Sequence, residues 1–457
     1  MTKRKKNTIT ADNAIPRPPF GERPAAFYIL KTFEKTRQRL DDIEDEWLAR
    51  DPSLRVRQVR RLARGAIRHR IYLDTLVQAL YNGRHVLQKE TRFWLRLALF
   101  DLREAGPTAS RLVNGWVQDT RDVLGERAVG LVNALLRAFI RQKDQIKVYV
   151  SDDVVERLAV RYSFPRWWVA HYLEMWDEVF TTELLRALNR PPRPVIRYNP
   201  LKMDAGRFEA ELDALHITYQ RSAVAPRHYR VDSVHAIVEA DGFEAGFCSV
   251  QDESAALPVQ LLDLQPGDRF LDVCAAPGGK FTQALEEQPR LALAVAADND
   301  WQRLCKVREN MKRLGLSGHL VVADARQLPF KPAFNAILAD VPCSAQGVVR
   351  KHPDVKWRRS RKETESFQSI QKDILQAAWD TLEPGGRMIY STCSLDATEN
   401  EDVLDALPRL KQFVGTPHLR DKQFITPAGY VRTFPQQGMD GSFAALLRKP
   451  LKESETE

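Results

Sequence analysis

A chain of 457 residues is too long for a single ordinary core and suggests about three domains, while 44% hydrophobic and 28% charged residues mark it as globular. No uninterrupted apolar stretch approaches the ~20 residues of a membrane span, and the basic opening Met1-Thr-Lys-Arg-Lys-Lys6 has no apolar run behind it, so a cytoplasmic protein is expected rather than a membrane or secreted one. A net charge of +9 points to a polyanionic partner such as nucleic acid, and five dispersed cysteines without a C-x-x-C pair give no reason to expect a metal or a disulfide.

Up to about Asp144 the pattern is helical throughout, which predicts a bundle. One helix is expected over Phe27–Leu48 and another over Val56–Leu80, where Val59, Leu62, Ala63, Ala66, Ile67 and Ile71 recur at three-to-four spacing. A third carries Phe93–Phe100, and a last one Leu131–Arg137. Arg55, Arg57, Arg60, Arg61, Arg64, Arg68 and Arg70 decorate the helix over Val56–Leu80; a solvated face and a surface for RNA phosphates both account for them. From Ser151 to about Ala245 a Trp-rich stretch around Pro165-Arg-Trp-Trp168 leads to the proline-rich joint Arg190-Pro-Pro-Arg-Pro194, which reads as a boundary. A short strand at Val195–Tyr198 and an amphipathic helix at Ala205–Leu215 then suggest a small α+β module.

From about Phe247 to Leu447 strands and helices alternate. Strands are expected at Arg269–Val273, Leu291–Ala297, His319–Ala323, Ala336–Ala339 and Arg387–Ser391, with helices such as Trp301–Leu314 and Glu363–Leu382 between them. That order predicts right-handed crossovers and a mainly parallel sheet with helices on both faces, closed at an antiparallel edge by Phe443–Leu447. In such a sheet ligands bind beyond the carboxyl ends of the strands. Asp272 and Cys274, Asp298, Asp324, Asp340 with Cys343, and Cys393 all fall where successive strands should end. One Asp after a strand is ordinarily a helix cap; a run of such positions along one edge points to a site.

The first strand runs into Cys274, Ala275, Ala276, Pro277, Gly278, Gly279 and Lys280, a turn of small residues that opens a helix. It is neither a dinucleotide fingerprint nor a phosphate loop, since Phe281 stands where the latter needs a hydroxyl. Free N–H groups at that helix start can receive the methionine carboxylate of S-adenosylmethionine. Asp298 has the spacing to hold ribose hydroxyls, and Asp324 is placed for the adenine end. Cys343 and Cys393 follow strands beside this inferred donor site. An ordinary thiol needs a nearby cation or helix start to become a thiolate, and Arg350, Lys351, Lys356 and Lys280 are candidates to provide it. A thiolate is useful because carbon 5 of cytosine is a poor nucleophile. Sulfur attack at carbon 6 makes an enamine-like adduct whose carbon 5 accepts a methyl group, and an acid such as Asp340 can stabilise it through N3 and the exocyclic amine.

Cys274–Lys280, the run Asp340-Val-Pro-Cys-Ser-Ala-Gln-Gly-Val-Val-Arg-Lys-His-Pro-Asp-Val-Lys-Trp357, and Ser391-Thr-Cys-Ser394 resemble the motifs of the Sun/Fmu group of RNA 5-methylcytosine methyltransferases. The resemblance spans the whole C-terminal region, with three long motifs in the right order. It implies an α/β class I (Rossmann-like) methyltransferase domain with a mainly parallel sheet, preceded by an all-α bundle and a small α+β module. It also implies that Cys393 is the nucleophile, that Cys343 assists product release, and that Asp340 and Lys280 handle the target base. The donor site carries over to residues 274–280, Asp298, Asp324 and Asp340. Leu95–Leu102 and Val132–Arg137 make the N-terminal bundle similar to the NusB-like domain of the small-subunit ribosomal RNA member of the group. The expected organisation is a NusB-like RNA-binding domain (1–148), a helical linker with the α+β module (149–246), the catalytic domain (247–450) and a tail (451–457), acting as a monomer on ribosomal RNA. Phe281 departs from the usual Thr, Ala345 from Gly, and Asp440-Gly-Ser-Phe443 from Asp-Gly-Phe-Phe.

Three other readings compete. The target is another RNA, such as transfer RNA or large-subunit ribosomal RNA, in one. In the next the chain is a non-catalytic RNA-binding assembly factor, against which both cysteines and all the donor-site acids stand. In the last it is a DNA cytosine methylase with Cys343 as nucleophile, against which the Thr-Cys motif stands.

Overall fold

The structure is a computed structural model that describes residues 21–146, 148, 151–419 and 421–451. The basic N-terminal stretch and, apart from Leu451, the expected tail lie outside the described residues. The chain divides into two compact units, Met1–Glu174 and Met175–Glu457.

Among its described residues the first unit contains helices and no strand. Its central helix, Lys89–Glu104, is buried almost all round, from Phe93 to Leu102, and its one interior cation, Arg96, is bound by Asp74 and Glu34. The helix expected over Phe27–Leu48 is two, Glu22–Lys35 and Leu40–Leu48, because Thr36 adopts an extended conformation. The helix expected over Val56–Leu80 is also two, Val56–Arg68 and Arg70–Leu80, with the chain turning at His69. There the free amide of Ile71 is capped at 2.8 Å by the hydroxyl of Ser163, 92 residues away. Ala109–Leu124 is a further helix, absent from the sequence-based expectation.

Five of the seven arginines expected along Val56–Leu80 pair with acids within this unit. Arg55 pairs with Glu22, Arg60 with Glu44 and Asp45, Arg61 with Asp101, Arg64 with Asp41 and Glu44, and Arg70 with Glu34. Arg68 is buried, which pulls its guanidinium down to about 10. Among the seven, Arg57 is exposed and forms no ion pair among the described residues. The stripe is therefore mostly an internal network that neutralises acids such as the fully buried Glu44.

The other unit holds two sheets. The smaller is antiparallel with order β2-β3-β1-β4, built from β1 (Val195–Tyr198), β2 (Tyr219–Arg221), β3 (His228–Val231) and β4 (Cys248–Val250). Its fourth strand comes from residues just past the expected 246/247 border, because β1 needs a further hydrogen-bonding neighbour. Ala205–Ala214 packs Phe208 and Leu212 into the core of this sheet.

The larger sheet has seven strands, β5 (Arg269–Asp272), β6 (Leu293–Asp298), β7 (His319–Val322), β8 (Phe334–Asp340), β9 (Leu382–Thr392), β10 (Val431–Thr433) and β11 (Ser442–Arg448), in the order β10-β11-β9-β8-β5-β6-β7. Five consecutive strands of that order, β9-β8-β5-β6-β7, are parallel; β11 runs antiparallel to β9. β11 was expected at the edge, but the short β10 pairs outside it. Period-two alternation sends neighbouring residues to opposite faces. Leu271, Val295, Ile337 and Met388 enter one core with Ile374, Leu375 and Trp379 of the helix Arg361–Thr381. Phe270, Ala296, Leu338 and Ile389 enter the other, with Phe281 and Leu304 of the helices Gly279–Glu287 and Trp301–Leu314. Each large apolar side chain among them contributes about 1.5–3 kcal/mol of burial. Strand order reverses at β5, so the crevice between β5 and β8 is the switch point where this architecture binds ligands.

Candidate active site

The loop after β5 is held open by bonds to its neighbours. Ala275 donates to the Ala297 carbonyl (2.9 Å) and Ala276 to Asp298 Oδ2 (3.3 Å). The Ala276–Pro277 bond is cis. Its two carbonyls are held from the helix Trp301–Leu314, where Arg303 donates to Ala276 O (2.7 Å) and Asn310 to Pro277 O (3.2 Å). Gly278 has a φ of +104°, a region that only glycine enters freely, and an added Cβ would press on Val307 at 3.2 Å. At Gly279, the first residue of the next helix, a Cβ would meet nothing within 4 Å. Phe281 points away from this opening into the core, stacked on Phe270 at 5.9 Å.

The acids along the strand ends divide into two kinds. Asp298 is buried and accepts from the Asp300 amide (3.1 Å) and from Arg303 (3.3 Å). Asp272 is buried too, and burial together with the nearby Asp340 pushes its carboxyl up to about 8. Asp324 is different: it lies past the end of β7, half-exposed, and pairs with Arg326 at 2.6 Å. Asp340 receives Lys280 Nζ on one oxygen (2.6 Å) and Ser391 Oγ on the other (2.8 Å). Burial alone would lower the Lys280 ammonium, but Asp340 outweighs it and holds the amine above its ordinary value. Burial raises the Cys274 thiol well above its own, so that cysteine belongs to the wall of the loop.

Beyond the adjacent ends of β8 and β9, Cys343 Sγ lies 3.2 Å from Cys393 Sγ. The bond to Cys393, together with burial, pushes the Cys343 thiol well above its ordinary value. Two of the three other cations expected to act on these sulfurs bind acids elsewhere: Lys351 pairs with Asp440 (2.5 Å) and Asp252 (3.1 Å), and Arg350 with Asp440 (3.3 Å). The third, Lys356, donates to Asn189 at 2.6 Å. Cys393 adds a smaller electrostatic contribution, after Asp340, to holding the Lys280 amine above its ordinary value.

Two residues outside the sequence-predicted set organise this edge. Arg197 of β1 is fully buried, paired with Glu286 (2.8 and 3.0 Å), and donates to the Gly279 carbonyl at 3.0 Å, tying the small sheet to the donor-loop helix. Glu399 is fully buried beneath the two cysteines and bonds to Ser344 and Ser394. Arg303 and Asn310 also fall outside that set, yet they stand seven residues apart, two turns on one helix face, and that spacing is a readable signal.

Residues 259–448 match the model of the 16S rRNA methyltransferase RsmB/F family, residues 164–237 that of the RsmF/B-like ferredoxin-like domain, and residues 21–141 that of the NusB family. The ribosomal RNA small subunit methyltransferase B of Pseudomonas syringae pv. tomato is 38% identical over 337 residues, covering 70% of this chain and 73% of its own. The one from Vibrio cholerae is 32% identical over 394 residues, covering 84% and 87%. The chain belongs to the ribosomal RNA small subunit methyltransferase B family. Among solved structures, PH0851 superposes with a TM-score of 0.74 over 95% of this chain and 100% of its own at 23% identity. A methyltransferase homolog from Pyrococcus horikoshii gives 0.55 over 66% and 100% at 26% identity. The seven-stranded sheet is thus the class I methyltransferase fold, and the N-terminal bundle is NusB-like. The cofactor of this family member is S-adenosylmethionine. The donor loop fits it: Gly279 leaves space before a helix start, and the buried Asp298 is tethered beside it.

Proposed function

We propose that this chain transfers a methyl group to carbon 5 of a specific cytosine in small-subunit (16S) ribosomal RNA through a covalent bond between Cys393 and the base. The observation that supports this best is the pair of sulfurs 3.2 Å apart at the ends of β8 and β9, next to the Lys280–Asp340 pair. S-adenosylmethionine, held by residues 274–280, Asp298, Asp324 and Asp340, supplies an electrophilic methyl group. The Cys393 thiolate attacks carbon 6, and its electron pair shifts through the ring so that carbon 5 becomes nucleophilic. Asp340, kept in place by Lys280 and Ser391, faces the N3 and amine edge, and a proton passed to N3 from the Lys280–Asp340 pair neutralises the negative charge that the attack puts on the ring. After methylation a base removes the carbon 5 proton, and those electrons expel the Cys393 sulfur. Cys343 stays protonated until this stage, consistent with its raised thiol, and assists release. We further propose the borders 1–148, 149–246 and 247–450, a cytoplasmic location and a monomeric enzyme.

Trapping experiments test the roles. RNA carrying 5-fluorocytidine cannot lose fluorine as a proton, so any enzyme with its nucleophile intact should remain attached on a denaturing gel. Wild type and Cys343→Ala should be trapped, and Cys393→Ala should be neither trapped nor active. On unmodified RNA, Cys343→Ala alone should accumulate the adduct. Trapping that needs Cys343 and spares Cys393 would reverse the assignment. Mapping 5-methylcytosine in ribosomal RNA from cells with and without the gene identifies the target; a signal lost from transfer RNA instead would move the substrate.

A further inference from the structure

The reaction proposed above needs two sulfurs in one place for different purposes. One must stay on the base until methylation is complete, and the other must reach that base afterwards. No disulfide cross-links the segments that carry them, which lie 50 residues apart in the chain.

Glu399 lies directly behind both segments, on the short turn Ala397–Glu399, with no exposed surface. Its Oε1 accepts the Ser344 backbone amide (2.7 Å) and Gln371 Nε2 (3.2 Å); its Oε2 accepts Ser394 Oγ (2.6 Å) and Ser344 Oγ. Ser344 follows Cys343 and Ser394 follows Cys393. The two hydroxyls themselves lie 3.2 Å apart. Gln371 also donates to the Pro342 carbonyl at 3.0 Å, so the Cys343 segment is gripped from both sides of the cysteine. Every partner of the carboxylate is a donor and no cation pairs with it among the described residues. Burial raises this carboxyl, against the hydrogen bonds from both serines. A solitary buried acid is costly to keep, and charge-assisted bonds of this kind are the strong, direction-fixing ones.

The two segments do not depend on it equally. Cys393 is the residue directly after β9, whose last residue Thr392 is paired with Phe443 of β11. Cys343 stands three residues past β8, in a turn where Ala345 has a φ of +62°. Loosening Glu399 should therefore displace Cys343 more than Cys393.

We propose that Glu399 is a positioning residue for methyl transfer: through Ser344 and Ser394 it holds Cys343 against Cys393, and so sets the step that releases the methylated base. This rests on the covalent reading above. Displacement of a reacting group by about 1 Å costs on the order of 100-fold in rate.

Three variants of the full-length enzyme test it. Glu399→Leu keeps the volume and removes every acceptor. Glu399→Gln retains an oxygen for the Ser344 amide and should rescue in part. Ser344→Ala removes one hydroxyl alone. We expect Glu399→Leu to bind S-adenosylmethionine normally and to be trapped by 5-fluorocytidine RNA as fully as wild type. On unmodified RNA its turnover should fall roughly 10- to 100-fold with a covalent adduct accumulating, as in Cys343→Ala. Ser344→Ala should show the same adduct at a smaller turnover loss, and it decides the matter alone if Glu399→Leu does not fold. Release at the wild-type rate in the folded variants would overturn the proposal. So would a loss of trapping that parallels the loss of turnover, which marks a merely structural role. If wild type itself is not trapped, it is the covalent reading that fails.

Discussion

The arginine-rich helices of the N-terminal unit and the strand ends of the large sheet are alike as sequence in one respect, since each presents charged residues repeatedly at a recurring place in its elements. In three dimensions they differ. In the helices the charges find opposite charges within the same bundle, Arg64 on Glu44 and Asp41, Arg61 on Asp101, Arg70 on Glu34, and the stripe is largely used up in holding helices together. At the strand ends Asp272 is buried without a matching cation in contact among the described residues, and Asp298 has only the long 3.3 Å approach of Arg303, although Asp340 is matched by Lys280 and Asp324 by Arg326. Charge satisfied inside a fold reports on stability, whereas charge or thiol groups gathered at a strand edge and left for something else report on chemistry.

Substitutions on the two sides should separate accordingly. The largest effect expected is from Arg64→Met, which strands part of the Glu44 charge in the bundle; removing one partner of a buried pair costs about 3–5 kcal/mol, and the remaining Arg60 contact at 3.2 Å puts the loss near the lower figure. Urea titration monitored in the N-terminal unit reads it, while S-adenosylmethionine affinity stays constant. A stable variant with weakened RNA binding would break the comparison, because the arginine would then face phosphate after all. Asp298→Ala is the counterpart at the strand edge. Its loss should weaken donor binding by roughly 1.5–3 kcal/mol, about 10- to 150-fold. Calorimetry giving unchanged affinity would remove Asp298 from the donor site.

How much of this is legible in the sequence follows the range of the forces. The parallel strands of the large sheet can be located in the sequence, since a run such as Phe334–Asp340 is buried on both faces and must be apolar to be so, whereas the three-residue β10 carries no such run and β9 begins five residues before its expected start. Cys343, Cys393, Asp340 and Lys280 are legible because they sit in dense local motifs, and the structure brings them together. What escapes depends on distant partners. The break at His69 answers to a hydroxyl at Ser163, and the fate of each arginine to acids up to 40 residues away. Arg197 is one polar residue in a four-residue strand until Glu286, 89 residues on, explains it. Glu399 stands five residues past Ser394 in a loop, a position that by itself signals nothing, although an acid with no basic neighbour in sequence is worth a question.

The smallest effect expected sharpens the comparison within the site itself. Ala345 follows the Cys343–Ser344 pair in the left-handed region, at φ +62° and ψ +30°, where an L side chain costs about 1–2 kcal/mol. Strain of this kind persists only where the surroundings over-determine it. Here they do: the loop is pinned by Glu399 at Ser344 and by the Cys393 carbonyl at Gly347, and Gly347 abuts Gly441 so closely that a Cβ would collide with the Gly441 carbonyl. Ala345→Gly relieves the strain but adds freedom to the unfolded chain worth about 0.4–1 kcal/mol. The net expectation is a gain of roughly 0.5–1 kcal/mol in stability, with turnover unchanged because the pins on either side still place Cys343. Chemical denaturation and a methylation assay on the same preparation read both quantities. A gain in stability with a loss of turnover would mean that the alanine itself, and not the pinned loop, sets the cysteine's position.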